Sequence, residues 1–198
     1  MVAKQENSDV QEFNRLSTTY EDSWAQWFFF DRVHNAVLEL VENQAYPKSI
    51  MDVGCGTGRL LRKAGKRWPD ARLIGVDPAE GMVEKARSMM PSATFYVGMA
   101  ESLPLPDASV DLAFSTMSYH HWVDHVQGIR EITRVLRPTG RLFLADFWLP
   151  MRLSKIIRHF QSNDPAQVRD AFAQAGLKMQ AQRKRMGRWL LVTIGERQ

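Results

Sequence analysis

The stretch that decides the fold is DVGCGTGRL, residues 52–60. Three glycines stand at positions 54, 56 and 58, directly after an apolar run and directly before a helical pattern. In an open parallel sheet, ligands bind beyond the carboxyl ends of the strands, which is where this loop falls. Glycine permits positive φ angles and close approach of a ligand to the main chain, and the amides that begin a helix favour an anion. The stretch therefore predicts a ligand-binding loop.

Two carboxylates narrow the choice of ligand. Asp77 ends the second predicted strand, 19 positions after Gly58, near the spacing of about 20 expected for an acid that binds ribose hydroxyls. Asp77 and Glu80 also have the spacing of a capping box, and both roles can coexist. The loop reads G-x-G-x-G after Asp52, an acid that would repel a pyrophosphate and attract an ammonium group. A ligand with a ribose, a carboxylate and an ammonium group is S-adenosylmethionine.

Outward from the loop, short β-like runs alternate with amphipathic helices, which is typical of a parallel sheet covered on both faces. A turn is predicted at 137–140, and Met186-Gly187 predicts a hairpin that adds an antiparallel edge. The prediction is a single α/β domain with a Rossmann-like, doubly wound, mostly parallel seven-stranded sheet. Its predicted strands are 49–53, 72–76, 94–97, 110–114, 141–147, 177–185 and 188–194, and its predicted helices are 59–68, 81–90, 123–136 and 164–176.

Ahead of the first strand, residues 20–41 predict a helix that is rich in aromatic side chains. These rings can be core packing or part of a lid, since the segment lies outside the alternating unit. We therefore divide the chain into an N-terminal helical cap or lid, 1–47, and a cofactor-binding domain, 48–198. The aromatic residues are Tyr20, Trp24, Trp27, Phe28, Phe29 and Phe30.

Composition limits the function classes. The chain has 198 residues, 44% hydrophobic and 24% charged, as in an ordinary globular protein. Its 26 Lys and Arg against 22 Asp and Glu give mild basicity, concentrated at Arg183, Lys184, Arg185 and Arg188. One cysteine, Cys55, fits a reducing compartment. The first residues lack the apolar core of a secretory signal and no long apolar run occurs. We expect a cytoplasmic protein with no membrane partner.

Four linked stretches resemble the class I S-adenosylmethionine-dependent methyltransferases, in particular the small-molecule group known as methyltransferase domain type 11. They are IMDVGCGTGRL (50–60), LIGVDPAEGMVEKAR (73–87), VGMAESLPLPDASVDLAFSTMSYHHW (97–122) and ITRVLRPTGRLFLAD (132–146). The resemblance covers about residues 48–148, and the final hairpin fits the family's reversed edge strand.

The resemblance implies a set of cofactor-binding residues. Gly54, Gly56 and Gly58 would line the methionine end, Asp77 would hold the ribose, and Pro78 or Ala79 would pack on the adenine. The main chain at Ser115 would face the amino group of the cofactor. The whole predicted set is Asp52, Gly54, Cys55, Gly56, Gly58, Asp77, Pro78, Met82, Met99, Ala100, Glu101 and Ser115.

The sequence departs from the family pattern at two places. Met99 stands where the family commonly has an Asp that accepts a hydrogen bond from the adenine amino group. Methionine packs on a ring but is a weak acceptor. We therefore expect cofactor affinity to be lower by the ~1 kcal/mol of one net hydrogen bond. The usual double glycine before the fifth strand is also changed, to Thr139-Gly140.

Three side chains are candidates for proton transfer. His120 and His121 follow the fourth strand, and Asp146 ends the fifth. Histidine titrates near neutrality and can act as a base when the acceptor loses a proton, or it can shape the pocket. Asp146 can be a second base, a helix cap or a solvated loop acid, while Tyr20 and His159 are weaker candidates. No metal site is predicted, because the HExxH pattern is absent and His121 with His125 supplies too few ligands.

The sequence therefore predicts a methyltransferase acting on a small, aromatic or apolar acceptor. The acceptor pocket would comprise residues 20–30, 119–122 and 147–148, running into 151–160. The alternatives are a nucleic-acid methyltransferase, suggested only by the basic cluster at 183–188, and a non-catalytic protein that binds the cofactor. A nicotinamide reductase is the weakest alternative. A homodimer is compatible with the sequence, and nucleic acid is not the expected partner.

Overall fold

The computed structural model describes residues 10–18, 20, 24–41, 46–148, 164–187 and 189–198. Several predicted features lie outside this part of the chain: His159, the pocket segment 151–160, Arg188, and the side chains of Trp24 and Trp27. None of the helices in the described residues is long and apolar enough to cross a membrane.

Strands and helices alternate along the chain, as the sequence predicts. The helices are α1 (residues 10–16), α2 (Trp24–Leu38), α3 (Arg59–Arg67), α4 (Glu80–Met89), α5 (His125–Val135) and α6 (Pro165–Gln174). The strands are β1 (Ser49–Val53), β2 (Arg72–Asp77), β3 (Thr94–Val97), β4 (Val110–Thr116), β5 (Leu136–Phe147), β6 (Leu177–Arg185) and β7 (Leu190–Arg197). Short 3-10 turns occupy Glu39–Val41 and Tyr119–His121.

The strands form one seven-stranded sheet in the order β3-β2-β1-β4-β5-β7-β6. The first five strands pair in parallel, and β7 runs antiparallel to both β5 and β6. This arrangement confirms the predicted mostly parallel sheet with an antiparallel edge hairpin. The chain order reverses between β1 and β4, so the crevice beyond their carboxyl ends is where an open sheet of this kind binds a ligand.

Helices cover both faces of the sheet, and each face has its own apolar core. On one face, Val33 and Val37 of α2 pack with Leu61 of α3 and Val83 of α4. The other face buries residues of α5 and α6, including Ile129, Ile132, Val168 and Phe172. The predicted double winding is thus confirmed. Helix α2 contributes to the first core, while the division at residue 47 into cap and domain stays a prediction.

The predicted boundary of the fifth strand is wrong. We expect a turn at 137–140 and a strand from residue 141, but β5 begins at Leu136 and includes those residues. Its pairing with β4 jumps from Val110↔Leu136 to Leu112↔Arg141, so the extra residues form an irregularity inside the strand. Thr139 has a φ of 65°, which is turn geometry. The Pro-Thr-Gly signal marks a real bend, and strand pairing continues on both sides of it.

Candidate cofactor and catalytic site

The glycine loop turns sharply at the end of β1. The main-chain N–H groups of Gly54 and Cys55 both donate to the carbonyl oxygen of Val76, at 2.8 and 3.1 Å. Gly54, Gly56 and Gly58 have φ angles of 73°, 51° and 76°. A Cβ atom added at Gly56 would meet nothing within 4 Å, whereas one at Gly54 would lie 2.3 Å from Ser118 Cβ. Gly56 therefore presents bare main chain to open space.

The Asp77 carboxylate ties this loop to the end of β2. Its Oδ2 accepts a hydrogen bond from the Gly56 N–H at 2.8 Å, and its Oδ1 accepts one from the Ala79 N–H at 2.9 Å. Burial raises the pKa of the Asp77 carboxyl, and these two hydrogen bonds oppose that rise. Helix α4 has Ala79 as its N-cap with no side-chain capping bond, so the alternative capping box with Glu80 is not formed.

A cavity of about 1080 Å³, measured out to its open mouth, lies beyond the carboxyl ends of β1, β2 and β4. Most of the predicted cofactor-binding residues line it, together with one of the three predicted catalytic residues. These are Asp52, Gly54, Cys55, Gly56, Asp77, Pro78, Met82, Met99, Ala100, Glu101 and His121. The structure therefore brings these predicted residues together around one cavity.

Four predicted site residues do not line this cavity. Gly58 caps α3, and a Cβ atom there would lie 3.0 Å from the ring of Phe95. Ser115 is fully buried within β4, and its hydroxyl lies 2.7 Å from that of Ser118. The three residues that follow Ser115 line the wall in its place: Thr116, which ends β4, then Met117 and Ser118. The other two residues, His120 and Asp146, form a pair described below.

Asp52 has an open hydrogen-bonding position inside the cavity. Its side chain is 2% exposed, and Oδ1 has no hydrogen-bond partner among the described residues. Burial, and then the charge of Asp77, raise the pKa of its carboxyl. Buried polar atoms are nearly always hydrogen-bonded in native proteins. An ammonium group would satisfy Asp52 Oδ1 and offset its burial, which fits the amino-acid end of S-adenosylmethionine.

Glu101 has a structural task that the sequence did not reveal. Its Oε1 accepts hydrogen bonds from the N–H groups of Val123 and Asp124, at 2.8 and 3.1 Å. The carboxylate therefore anchors the loop that follows His121, while the residue also lines the cavity. Met99, the residue that stands where the family commonly has an aspartate, lines the same cavity wall.

His120 and Asp146 form a close pair. His120 Nδ1 lies 2.9 Å from Asp146 Oδ1 and 3.0 Å from Oδ2, and the His120 N–H donates to Oδ2 at 3.0 Å. The Asp146 side chain is buried, and its Oδ1 also accepts from the Phe147 N–H at 2.7 Å. His121 lies on the cavity wall, with its ring centroid 4.0 Å from that of His120. Two of the predicted catalytic residues thus meet directly, and the third lies beside them.

The cavity also contains residues that the sequence did not single out. His34 and Arg59 are buried in its wall, and Phe13 lies edge-on to His121 with ring centroids 5.3 Å apart. Met117 has a φ of 56°, which is rare for a residue with a side chain. The spacing of Phe30 and His34, four apart on α2, could have indicated a shared helix face.

No group of three or more His, Cys, Asp or Glu side chains in the described part of the chain is placed to bind a metal ion. His125, considered with His121 as a ligand pair, instead has Nε2 3.0 Å from the Tyr119 carbonyl oxygen and stacks on the Tyr119 ring.

A sheet of this order, with a glycine loop at the point where the order reverses, has the Rossmann-like methyltransferase fold. Residues 51–144 match the model of a family described as the methyltransferase domain. Residues 51–144 are therefore similar to a methyltransferase domain, which supports S-adenosylmethionine as the cofactor.

Proteins with sequences similar to this chain also carry methyltransferase names. An uncharacterized methyltransferase of Mycobacterium tuberculosis is 39% identical over 100 residues, which cover 50% of this chain and 40% of the relative. A malonyl-[acyl-carrier protein] O-methyltransferase of Dechloromonas aromatica is 30% identical over 177 residues, covering 84% and 64%. The chain thus spans less than two thirds of the length of these relatives. A methyltransferase solved in complex with the Haloferax volcanii Trm112 methyltransferase activator shares the fold, with a TM-score of 0.78, 22% identity and coverage of 93% and 97%.

Proposed function

We propose that this protein transfers the methyl group of S-adenosylmethionine to a small, aromatic or apolar acceptor. The observation that carries the proposal is one cavity that combines the unpartnered Asp52 Oδ1, the bare main chain of Gly56 and the carboxylate of Asp77. When bound, the cofactor supplies a methyl group already activated by its positive sulfur.

The acids of the cavity suit the two polar parts of this cofactor. Asp52 would hold the ammonium group with its open oxygen. A carboxylate has about four lone-pair sites. Asp77 uses two of them for the N–H groups of Gly56 and Ala79. It can therefore accept ribose hydroxyls while it still fixes the glycine loop.

The remaining wall favours an apolar acceptor. Five of its members are large apolar or aromatic side chains: Phe13, Tyr20, Phe30, Met117 and Trp122. Such walls exclude water and contact flat or aliphatic molecules over a large area. Orientation of the acceptor against the methyl group can supply up to ~7–11 kcal/mol of the rate enhancement.

Two neighbouring histidines are candidates to accept a proton from the acceptor. His121 lies on the cavity wall, and His120, which does not line the cavity, has its ring centroid 4.0 Å from that of His121. When His120 Nδ1 donates to Asp146, its Nε2 carries the lone pair and can accept a proton. We propose the His120–Asp146 pair as the base for acceptors that must be deprotonated, with His121 shaping the wall beside it.

The basic residues of the edge hairpin do not favour a nucleic-acid acceptor. Arg183, Lys184 and Arg185 lie on β6, the last strand of the sheet, where charge commonly protects an exposed edge. Lys184 Nζ is also 3.4 Å from the ring centroid of Trp148, so part of this charge packs on an aromatic face.

The test uses methyl-labelled S-adenosylmethionine and a panel of acceptors: malonyl-carrier protein, a free malonyl thioester, phenols, fatty and isoprenoid acids, and RNA and DNA as the competing class. The carrier-bound malonyl group is included because a relative carries that name. We expect label in one small-molecule or carrier-bound product, and none with the Asp77→Ala protein. Tight binding of S-adenosylhomocysteine without transfer to any acceptor would favour a non-catalytic binding protein. Label that enters only RNA or DNA would contradict the proposal.

A further inference from the structure

A second buried polar atom of the cavity wall, besides Asp52 Oδ1, lacks a hydrogen-bond partner among the described residues. His34 is 5% exposed, and its Nδ1 has no hydrogen-bond partner among the described residues. The ring lies on α2, one turn after Phe30, and both side chains line the cavity, with ring centroids 6.2 Å apart. Because buried polar atoms are normally paired, this nitrogen points to a ligand.

The surroundings of His34 favour an anionic ligand group. Burial lowers the pKa of the ring to about 3, so it is a neutral hydrogen-bonding group at pH 7. Asp31 opposes this shift, whereas Lys63, Arg59 and Arg62 add to it, so cations outnumber acids near the ring. Asp31 is itself paired with Lys63, at 3.0 Å. Arg59 is 7% exposed and lines the same cavity.

The cavity therefore offers hydrogen-bond donors and positive charge as well as the carboxylate of Asp52. An amino acid carries both an ammonium group and a carboxylate, so it needs partners of both kinds. We propose that His34 and Arg59 bind the carboxylate of the cofactor's amino-acid part, while Asp52 binds its ammonium group. This assignment rests on the proposed cofactor site. It adds a residue from α2, outside the region 51–144 that matches the family.

Two ligands separate this role from a general effect on the cavity. S-adenosylhomocysteine carries the amino-acid part, and 5′-methylthioadenosine lacks it while keeping the nucleoside and the sulfur. In calorimetric titrations, His34→Leu weakens binding of S-adenosylhomocysteine about tenfold or more and leaves 5′-methylthioadenosine unchanged. Asp52→Asn shows the same selectivity. His34→Gln, which keeps an N–H donor, recovers part of the loss.

Asn35→Leu is the matched control, because Asn35 is the next residue on α2, is exposed and bonds to Lys63. It leaves both affinities unchanged. Thermal unfolding of each variant checks the fold. If His34→Leu does not fold, Arg59→Lys, which keeps the charge and loses the fork of donors, is expected to show the same selectivity. Equal weakening of both ligands, or an unchanged affinity for S-adenosylhomocysteine in a folded variant, overturns this role and leaves the cofactor site standing. Failure of the unaltered protein to bind either ligand would instead overturn the proposed function.

Discussion

Asp146 binds His120 through both the ring and the main chain, with Nδ1 2.9 Å from Oδ1 and the N–H 3.0 Å from Oδ2. The two residues are 26 positions apart: His120 follows β4, and Asp146 lies near the end of the neighbouring parallel strand β5. Asp146 thus fixes where the imidazole lies and which of its nitrogens faces the carboxylate. It is a positioning residue in this arrangement, and His120 is the group that would take the proton.

Asp146→Asn tests this relationship. The amide keeps the shape of the side chain but loses the charged acceptor that favours the Nδ1–H tautomer of His120. We expect turnover of the acceptor found in the labelling panel to fall at least tenfold, while the affinity for S-adenosylhomocysteine is unchanged. The exposed Asp170→Asn on α6 is the control. Unaltered turnover and an unaltered pH profile would exclude this pair as the base.

Gly56 and Gly176 allow a matched test of the glycine loop. Both have a positive φ angle, 51° and 73°, and an added Cβ atom meets nothing within 4 Å at either position. Alanine should therefore cost both variants a similar backbone strain of about 1 kcal/mol in unfolding free energy. Only Gly56→Ala places a methyl group in the cavity, so only this variant should lose affinity for S-adenosylhomocysteine, measured by calorimetry. Equal affinities in the two variants would remove Gly56 from the binding surface.

Met99→Asp should strengthen cofactor binding. The family commonly has an aspartate at this position, which accepts a hydrogen bond from the adenine amino group. Residue 99 lies on the cavity wall, where the aspartate variant would supply that hydrogen-bond acceptor. One net hydrogen bond contributes ~1 kcal/mol, which is about a fivefold lower Kd for S-adenosylhomocysteine. Met99→Leu, which changes packing without adding an acceptor, is the comparison. A higher Kd for the aspartate variant, which means weaker binding, would show that the adenine amino group does not lie at residue 99.

His34 makes the stability of the protein sensitive to acid. The folded protein lowers the pKa of His34 from 6.5 to about 3, mainly by burying it. Between these values the unfolded chain binds more protons, so the free energy of unfolding falls as the pH falls from 6.5 towards 3. At pH 5 the loss is roughly 2 kcal/mol. His34→Leu should therefore lose less stability between pH 7 and pH 5 in urea titrations. Parallel losses in both proteins would contradict this view of His34.

The sequence predicted the strands, the helices and the sheet topology because the local capping, turn and periodicity signals agree with the sheet that forms. The bounds of β1 and β3 match the prediction, Asp164 and Pro165 begin α6 as expected, and Gly176 follows its end with a φ of 73°. Motifs located the acids and the glycine loop. The position of Phe13 of α1 on the cavity wall could not be predicted, because its long-range contact with His121 leaves no local pattern. The sequence also could not show that Ser115 is buried within β4 while the next residue, Thr116, lines the cavity wall.

The most direct test of the cofactor site is calorimetric titration of the protein with S-adenosylhomocysteine and, separately, with NAD. Asp77→Ala and the exposed Glu80→Ala, three residues further on, are titrated in parallel. We predict micromolar or tighter binding of S-adenosylhomocysteine, no detectable binding of NAD, at least tenfold weaker binding in Asp77→Ala, and no change in Glu80→Ala. Preference for NAD, or an unchanged affinity in a folded Asp77→Ala protein, would contradict the account.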